Sequence, residues 1–136
     1  MVIISVDYGD VRTGVAACDK LQLLASPVTV IKQKGPELLS EEIKKICLEK
    51  KAEKIVLGLP KNMDGSEGFR AEACKEFAKL LSEKTGLSVD FQDERLTTVS
   101  AHNILNATDT RGKKRKAVVD AVSAVLILED YLRKQN

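Results

Sequence analysis

The sequence predicts an α/β fold with a mixed five-stranded sheet, three strands antiparallel and then two parallel, flanked by helices. Two observations carry this. The first quarter of the chain holds three β-branched or apolar runs, the first two joined by a connection too short for a parallel crossover. After it, strand and helix patterns alternate, which is how a parallel extension of a sheet is written in sequence.

The run 2–6 (VIISV) is apolar on both faces, as a central strand must be, and it stops at Asp7. A short Gly-containing connection leads to a second run at 13–18, and a third follows at 28–31. From Glu37 the period changes to that of a helix, with Leu39, Ile43, Ile46 and Cys47 on one face. Residues 55–59 (IVLGL) form a fourth strand. Phe69, Ala73, Phe77, Leu80 and Leu81 mark a second amphipathic helix, which Gly86 ends, and 89–92 is the fifth strand. A short helix over 98–106, a polar connection and a long helix over 116–133 close the chain.

With 136 residues, one compact domain over 1–136 is expected. Apolar residues at 43% and charged residues at 31% exclude a disordered or collagen-like chain. Cys18, Cys47 and Cys74 are widely spaced with no CxxC pair, which argues against a disulfide framework or a zinc site and for a reducing cytoplasm. The longest apolar run, 124–128, is far short of the roughly 18 residues that span a bilayer, so no membrane association is expected. A net charge of +2 does not by itself announce a nucleic-acid protein. With aromatics at 4% and no Trp, a nucleic acid would be held mainly through its phosphates.

Three acids are out of place for a fold alone. Asp7 ends an apolar strand, where ligand sites of open α/β sheets gather, although Asp is also a turn-former. Asp120 interrupts a helix that is apolar almost all round. It is either a metal ligand or an acid stabilising the first turns of that helix. The segment Asp93-Glu94-Arg95 offers a third carboxylate at the same sheet edge, with Glu94 preferred, though alternation along the strand leaves Asp93 open. Asp10 reads as turn chemistry and His102 has no assigned role. Three such acids would bind Mg²⁺ or Mn²⁺ and not zinc, and two ions about 4 Å apart suit phosphodiester hydrolysis.

Around the acids lie groups that suit phosphate. The loop 60–68 could bring backbone amides and Ser66 to a helix start, or be turn chemistry only. Thr97 and Thr98 suit phosphate contact or helix capping. Residues 111–116 place five cations in six residues ahead of Asp120, read as a phosphate-binding loop in preference to a merely solvated one.

Taken together, Val6-Asp7-Tyr8-Gly9 with Arg12-Thr-Gly14-Val-Ala16, Gly58-Leu-Pro60 with Asn62-Met-Asp-Gly-Ser66-Glu-Gly68, Asp93-Glu-Arg-Leu-Thr-Thr98, and Lys113-Lys-Arg-Lys-Ala with Asp120-Ala-Val-Ser-Ala124 resemble the successive motifs of the YqgF/RuvX family. The resemblance covers nearly the whole chain. It implies an RNase H-like three-layer fold and a cytoplasmic nuclease using Mg²⁺ or Mn²⁺, two ions, with the acidic positions on Asp7, Glu94 and Asp120. Nucleic-acid contacts are then expected from Arg12, Asn62, Ser66, Arg95, Thr97, Thr98, Arg111, Lys113, Lys114, Arg115 and Lys116. The implied substrate is structured RNA, namely pre-16S rRNA in ribosome biogenesis, with ribosomal association and a monomer or weak homodimer. Branched DNA, as in Holliday junction resolution, is the alternative, and a non-catalytic nucleic-acid-binding factor in transcription is a third reading.

Overall fold

The computed structural model describes residues 1–9, 11–21, 24–59, 69–93 and 112–135. In chain order the elements are β1 (Val2–Asp7), β2 (Arg12–Cys18), β3 (Ala25–Lys32), α1 (Pro36–Lys50), β4 (Ala52–Leu59), α2 (Phe69–Thr85), β5 (Ser88–Asp93) and α3 (Gly112–Gln135). They build a five-stranded sheet ordered β3-β2-β1-β4-β5, with β1–β2 and β2–β3 antiparallel and β1–β4 and β4–β5 parallel. This is the expected architecture. The expected helix over 98–106 and the loop 60–68 lie outside the described residues.

Alternation along the strands divides the core in two. Ile4 and Val6 of β1, with Ile55, Leu57 and Leu59 of β4, meet Leu39 and Ile43 of α1 and Phe77 and Leu81 of α2. Ile3 and Val56 face the other way, onto Ile127, Leu128, Tyr131 and Leu132 of α3. The sheet is therefore sandwiched, and each face has its own helices.

Local chemistry sets the ends of these elements. Pro36 begins α1, where its missing N–H is no loss, and Gly86, at φ 74, ends α2 with its N–H bonded to the Ser82 carbonyl at 2.9 Å. Gly9, just past β1, is required by crowding, because a Cβ there would lie 2.2 Å from the Arg12 carbonyl oxygen.

One expectation is corrected. The sequence reading ran the cationic segment as a loop and began the last helix at 116, but α3 starts at Gly112, so Lys113 to Lys116 belong to its first turns. Cations at a helix N-terminus oppose the dipole. Lys and Arg nevertheless have high intrinsic helix propensity, and the apolar face below them anchors the helix. Among the described residues, no helix is long and apolar enough to cross a membrane.

Candidate metal centre

Asp7 is the last residue of β1, half-buried and paired with Gly14 of β2. It shares strand parity with Ile3 and Ser5, so it belongs to the face covered by α3. The level of α3 on that face is marked by a buried contact, in which Ser5 Oγ donates to the Ala124 carbonyl at 2.6 Å. Gly14 and Ala16 of β2, on the same face, offer α3 no bulky side chain.

That contact fixes more than itself. Ile3, near the start of β1, clusters with Ile127, Leu128 and Tyr131, so α3 runs opposite to β1. From Ser5 to Asp7 the strand climbs about 6.6 Å. From Ala124 back to Asp120 the helix climbs about 6 Å in the same direction. Positions 7 and 120 thus reach the same height on the same face of the sheet. Position 120 lies more than two turns inside α3, whereas the dipole acts within the first turn.

β5 ends at the same edge. Its register places Phe91 beside Leu57, Gln92 beside Gly58 and Asp93 beside Leu59, while Leu57 in turn pairs with Val6. One step beyond Val6–Leu57–Phe91, the row across the sheet becomes Asp7, Gly58, Gln92. Glu94, Arg95, Thr97 and Thr98 lie outside the described residues, as do Asn62, Ser66 and Arg111. Among the described residues alone, no three His, Cys, Asp or Glu side chains gather closely enough to hold a metal. Of the three expected acids, the structure describes Asp7 and the helical position of Asp120.

Sequence reasoning missed four residues near this edge. Lys32 is set opposite Arg12 by the β2–β3 register, and pairing the hairpin would have shown it. Gln92 is buried at 5% exposure in the Asp7 row. Ser5 and Ser123 are buried hydroxyls in runs otherwise read as apolar, and Ser123 Oγ has no hydrogen-bond partner among the described residues.

Farther down the same face, Tyr131 donates to Asp90 Oδ2 at 2.5 Å, and Lys54 Nζ lies 3.2 Å from both the Tyr131 hydroxyl and Asp90. The Tyr131 hydrogen bond, followed by that of Lys54, holds the Asp90 carboxyl below its usual range against the effect of burial. The three cysteines are buried thiols outside any disulfide, and burial pushes the Cys47 thiol up to about 11, so it stays protonated and packs as an apolar group.

Comparison with known proteins adds to this geometry. Residues 1–134 match the family described as "RuvX: Holliday junction resolvase". A Halothermothrix orenii protein named "Putative pre-16S rRNA nuclease" is 46% identical over 136 residues, spanning 100% of this chain and 97% of its own. A Clostridioides difficile protein of the same name is 45% identical over 130 residues, spanning 96% and 92%. Among solved structures, T. thermophilus RuvC in complex with a Holliday junction substrate aligns with a TM-score of 0.63 at 11% identity, over 100% of this chain and 97% of that one. The fowlpox virus Holliday junction resolvase aligns at 0.57 and 14% identity, over 98% and 99%. At these identities the two structures speak for a shared RNase H-like fold.

Proposed function

The chain belongs to the RuvX family, and on that premise we propose that it is a divalent-metal-dependent endonuclease that hydrolyses phosphodiester bonds in maturation of the 16S rRNA 5′ end. The observation that carries the reading is the Ser5–Ala124 contact, because it brings the backbone positions of Asp7 and Asp120 to one height at the carboxyl edge of the sheet. Acids on two separate elements at one edge supply hard oxygen ligands, which fit Mg²⁺ or Mn²⁺. We assign the ligand set to Asp7, Glu94 and Asp120. Strand alternation supports Glu94 over Asp93, since Asp90 meets Tyr131 on the α3 side, Gln92 shares its parity, and the next position of that parity is 94.

A bound pair of ions would supply an activated water on one side of the phosphate and charge stabilisation for the leaving oxygen on the other. The protein holds the acids on rigid elements and grips the substrate backbone. Arg12 lies at the Asp7 edge, and Lys113, Lys114, Arg115 and Lys116 lie in the first turns of α3, where helix N–H groups also face an anion. Arg111, Asn62, Ser66, Arg95, Thr97 and Thr98 complete the proposed nucleic-acid contacts within one nuclease domain over 1–136, acting in the cytoplasm on structured RNA.

The alternative substrate is a four-way DNA junction, favoured by the family description and by the TM-score of 0.63 to RuvC bound to such a junction. Resolving a junction takes two symmetric cuts and hence two copies, whereas trimming an RNA end takes one. The test is side-by-side cleavage of a pre-16S rRNA fragment and a four-way junction with Mg²⁺ and with Mn²⁺, comparing wild type with Asp7→Asn. Asn keeps the shape and removes the charge. We expect RNA cleavage to fall by at least about 10³-fold, with melting temperature unchanged or raised because one of several clustered carboxylates is gone. A fully active Asp7→Asn protein sinks the mechanism, and preferential junction cleavage by a dimer moves the assignment to DNA.

A further inference from the structure

The serines and threonines of the described helices are Ser40, Ser82, Thr85 and Ser123. Ser40 Oγ donates to the Glu37 carbonyl at 2.7 Å, Thr85 Oγ1 to the Leu81 carbonyl at 2.7 Å, and Ser82 Oγ to the Leu87 carbonyl at 3.0 Å. Such local bonds are the ordinary outlet for a helical hydroxyl. Ser123 breaks the pattern. It is 1% exposed and its hydroxyl has no partner among the described residues.

An unpaired buried hydroxyl is unfavourable, and alanine, of nearly the same volume and better helix propensity, would avoid it. The residue's position suggests what the hydroxyl is for. Ser123 lies three residues after Asp120, and residues so spaced are neighbours on a helix surface, roughly 5–6 Å apart at Cβ. Because Cα–Cβ bonds tilt toward the helix N-terminus, Ser123 projects toward the turn that bears Asp120. It also adjoins Ala124, whose carbonyl accepts from Ser5, two residues from Asp7. Ser123 thus sits just below the level that positions 7 and 120 share on this face.

We propose that Ser123 is a positioning residue of the metal centre, its hydroxyl binding an ordered water that also bonds the Asp120 carboxylate and orients it toward the ion. This rests on the reading of Asp7 and Asp120 as ligands. A buried water commonly makes about three hydrogen bonds to groups that would otherwise be unsatisfied, and outer partners of this kind tune metal affinity. The hydroxyl touches neither ion nor substrate and acts only through Asp120.

The test uses Mn²⁺ alone, without substrate, so that binding is read apart from cleavage. Titration calorimetry and Mn²⁺-dependent melting are compared for wild type, Ser123→Ala, Ser123→Thr and Asp120→Asn. We expect Ser123→Ala to melt at or above the wild-type temperature without metal, yet to bind Mn²⁺ about tenfold more weakly and gain less from it on melting. Ser123→Thr, which keeps the hydroxyl, should recover most of the affinity. Asp120→Asn should lose more than Ser123→Ala. Wild-type Mn²⁺ affinity in Ser123→Ala, with Asp120→Asn impaired, overturns the role of Ser123 and leaves the metal centre standing. A wild-type protein that binds no Mn²⁺ removes the metal centre itself and the inference with it.

Discussion

The two faces of the sheet are built on different chemistry. Toward α1 and α2 the contacts are nearly all apolar, with Ile4, Val6, Leu39, Ile43, Ile55, Leu57 and Leu81 almost wholly buried. Toward α3 the apolar cluster of the described residues is smaller and is interrupted by Ser5, Ser123, Gln92 and the Tyr131–Asp90–Lys54 group. Apolar packing is strong but tolerant of small shifts and substitutions, whereas a hydrogen bond holds only over a narrow range of distance and angle. An α3 that slid by one turn would keep much of its apolar contact but would carry Asp120 about 5.4 Å from the level of Asp7. Polar contacts on this face therefore set position. Among the described residues, most of the buried apolar side chains lie on the other face.

The most forceful way to break this division is to weaken the apolar face and look for an effect on the site. Leu81 is fully buried between α2 and the sheet, and Leu81→Ala should cost about 2–5 kcal/mol in urea unfolding. Cleavage and Mn²⁺ affinity per folded molecule should stay at wild-type levels. Weakened metal binding in the folded fraction would show that the two faces are not independent.

A smaller effect is expected at the start of α3. Changing Lys113, Lys114 and Lys116 to Gln removes cations from its first turns without touching an acid. Binding should weaken for RNA and DNA alike, and the slope of log K against log salt should become shallower by up to about 2–3 if each lysine meets one phosphate. Metal-free stability should not fall, because cations there oppose the helix dipole. An unchanged salt slope would show that the run takes no part in binding.

Much of the fold was legible in the sequence because apolar periodicity is a local signal. The runs 2–6 and 55–59 read as buried strands, and the eight described elements follow one another in the expected order. The start of α3 was misplaced because six polar residues carry no apolar period from which to read a helix. Asp7 and Asp120 stood out as acids in apolar surroundings, a signal that needs no partner. What could not be read was their relative height, which depends on a contact spanning 119 positions between Ser5 and Ala124. Nor does the sequence show which parity of β5 faces α3, which the bond from Tyr131 to Asp90 marks. Lys32 was missed for the same reason, since its neighbour Arg12 is a matter of register.

The finest adjustment to the comparison lies at the far end of α3, where Tyr131→Phe keeps the apolar ring and deletes only the hydroxyl. Asp90 is held below its ordinary pKa chiefly by that hydroxyl and next by Lys54. A depressed carboxylate contributes stability at pH values above its unfolded pKa of about 3.9 and loses it as pH falls through the folded value. Tyr131 and Lys54 are both raised, the phenol by burial and then by Asp90, the ammonium by its bonds to Tyr131 and Asp90. Their contribution is present below the unfolded values near pH 10 and is lost as pH rises through the folded ones. Wild type should therefore exceed Tyr131→Phe by at most about 1 kcal/mol at neutral pH, because the Asp90 side chain is 45% exposed and its interactions are screened. Urea unfolding should show the gap closing toward both acid and alkaline pH. If the hydroxyl also fixes the height of α3, Mn²⁺ affinity should drop slightly in the variant even though the substitution lies more than two turns from Asp120. An unchanged affinity with a flattened pH profile would leave that height to Ser5 and Ala124 alone.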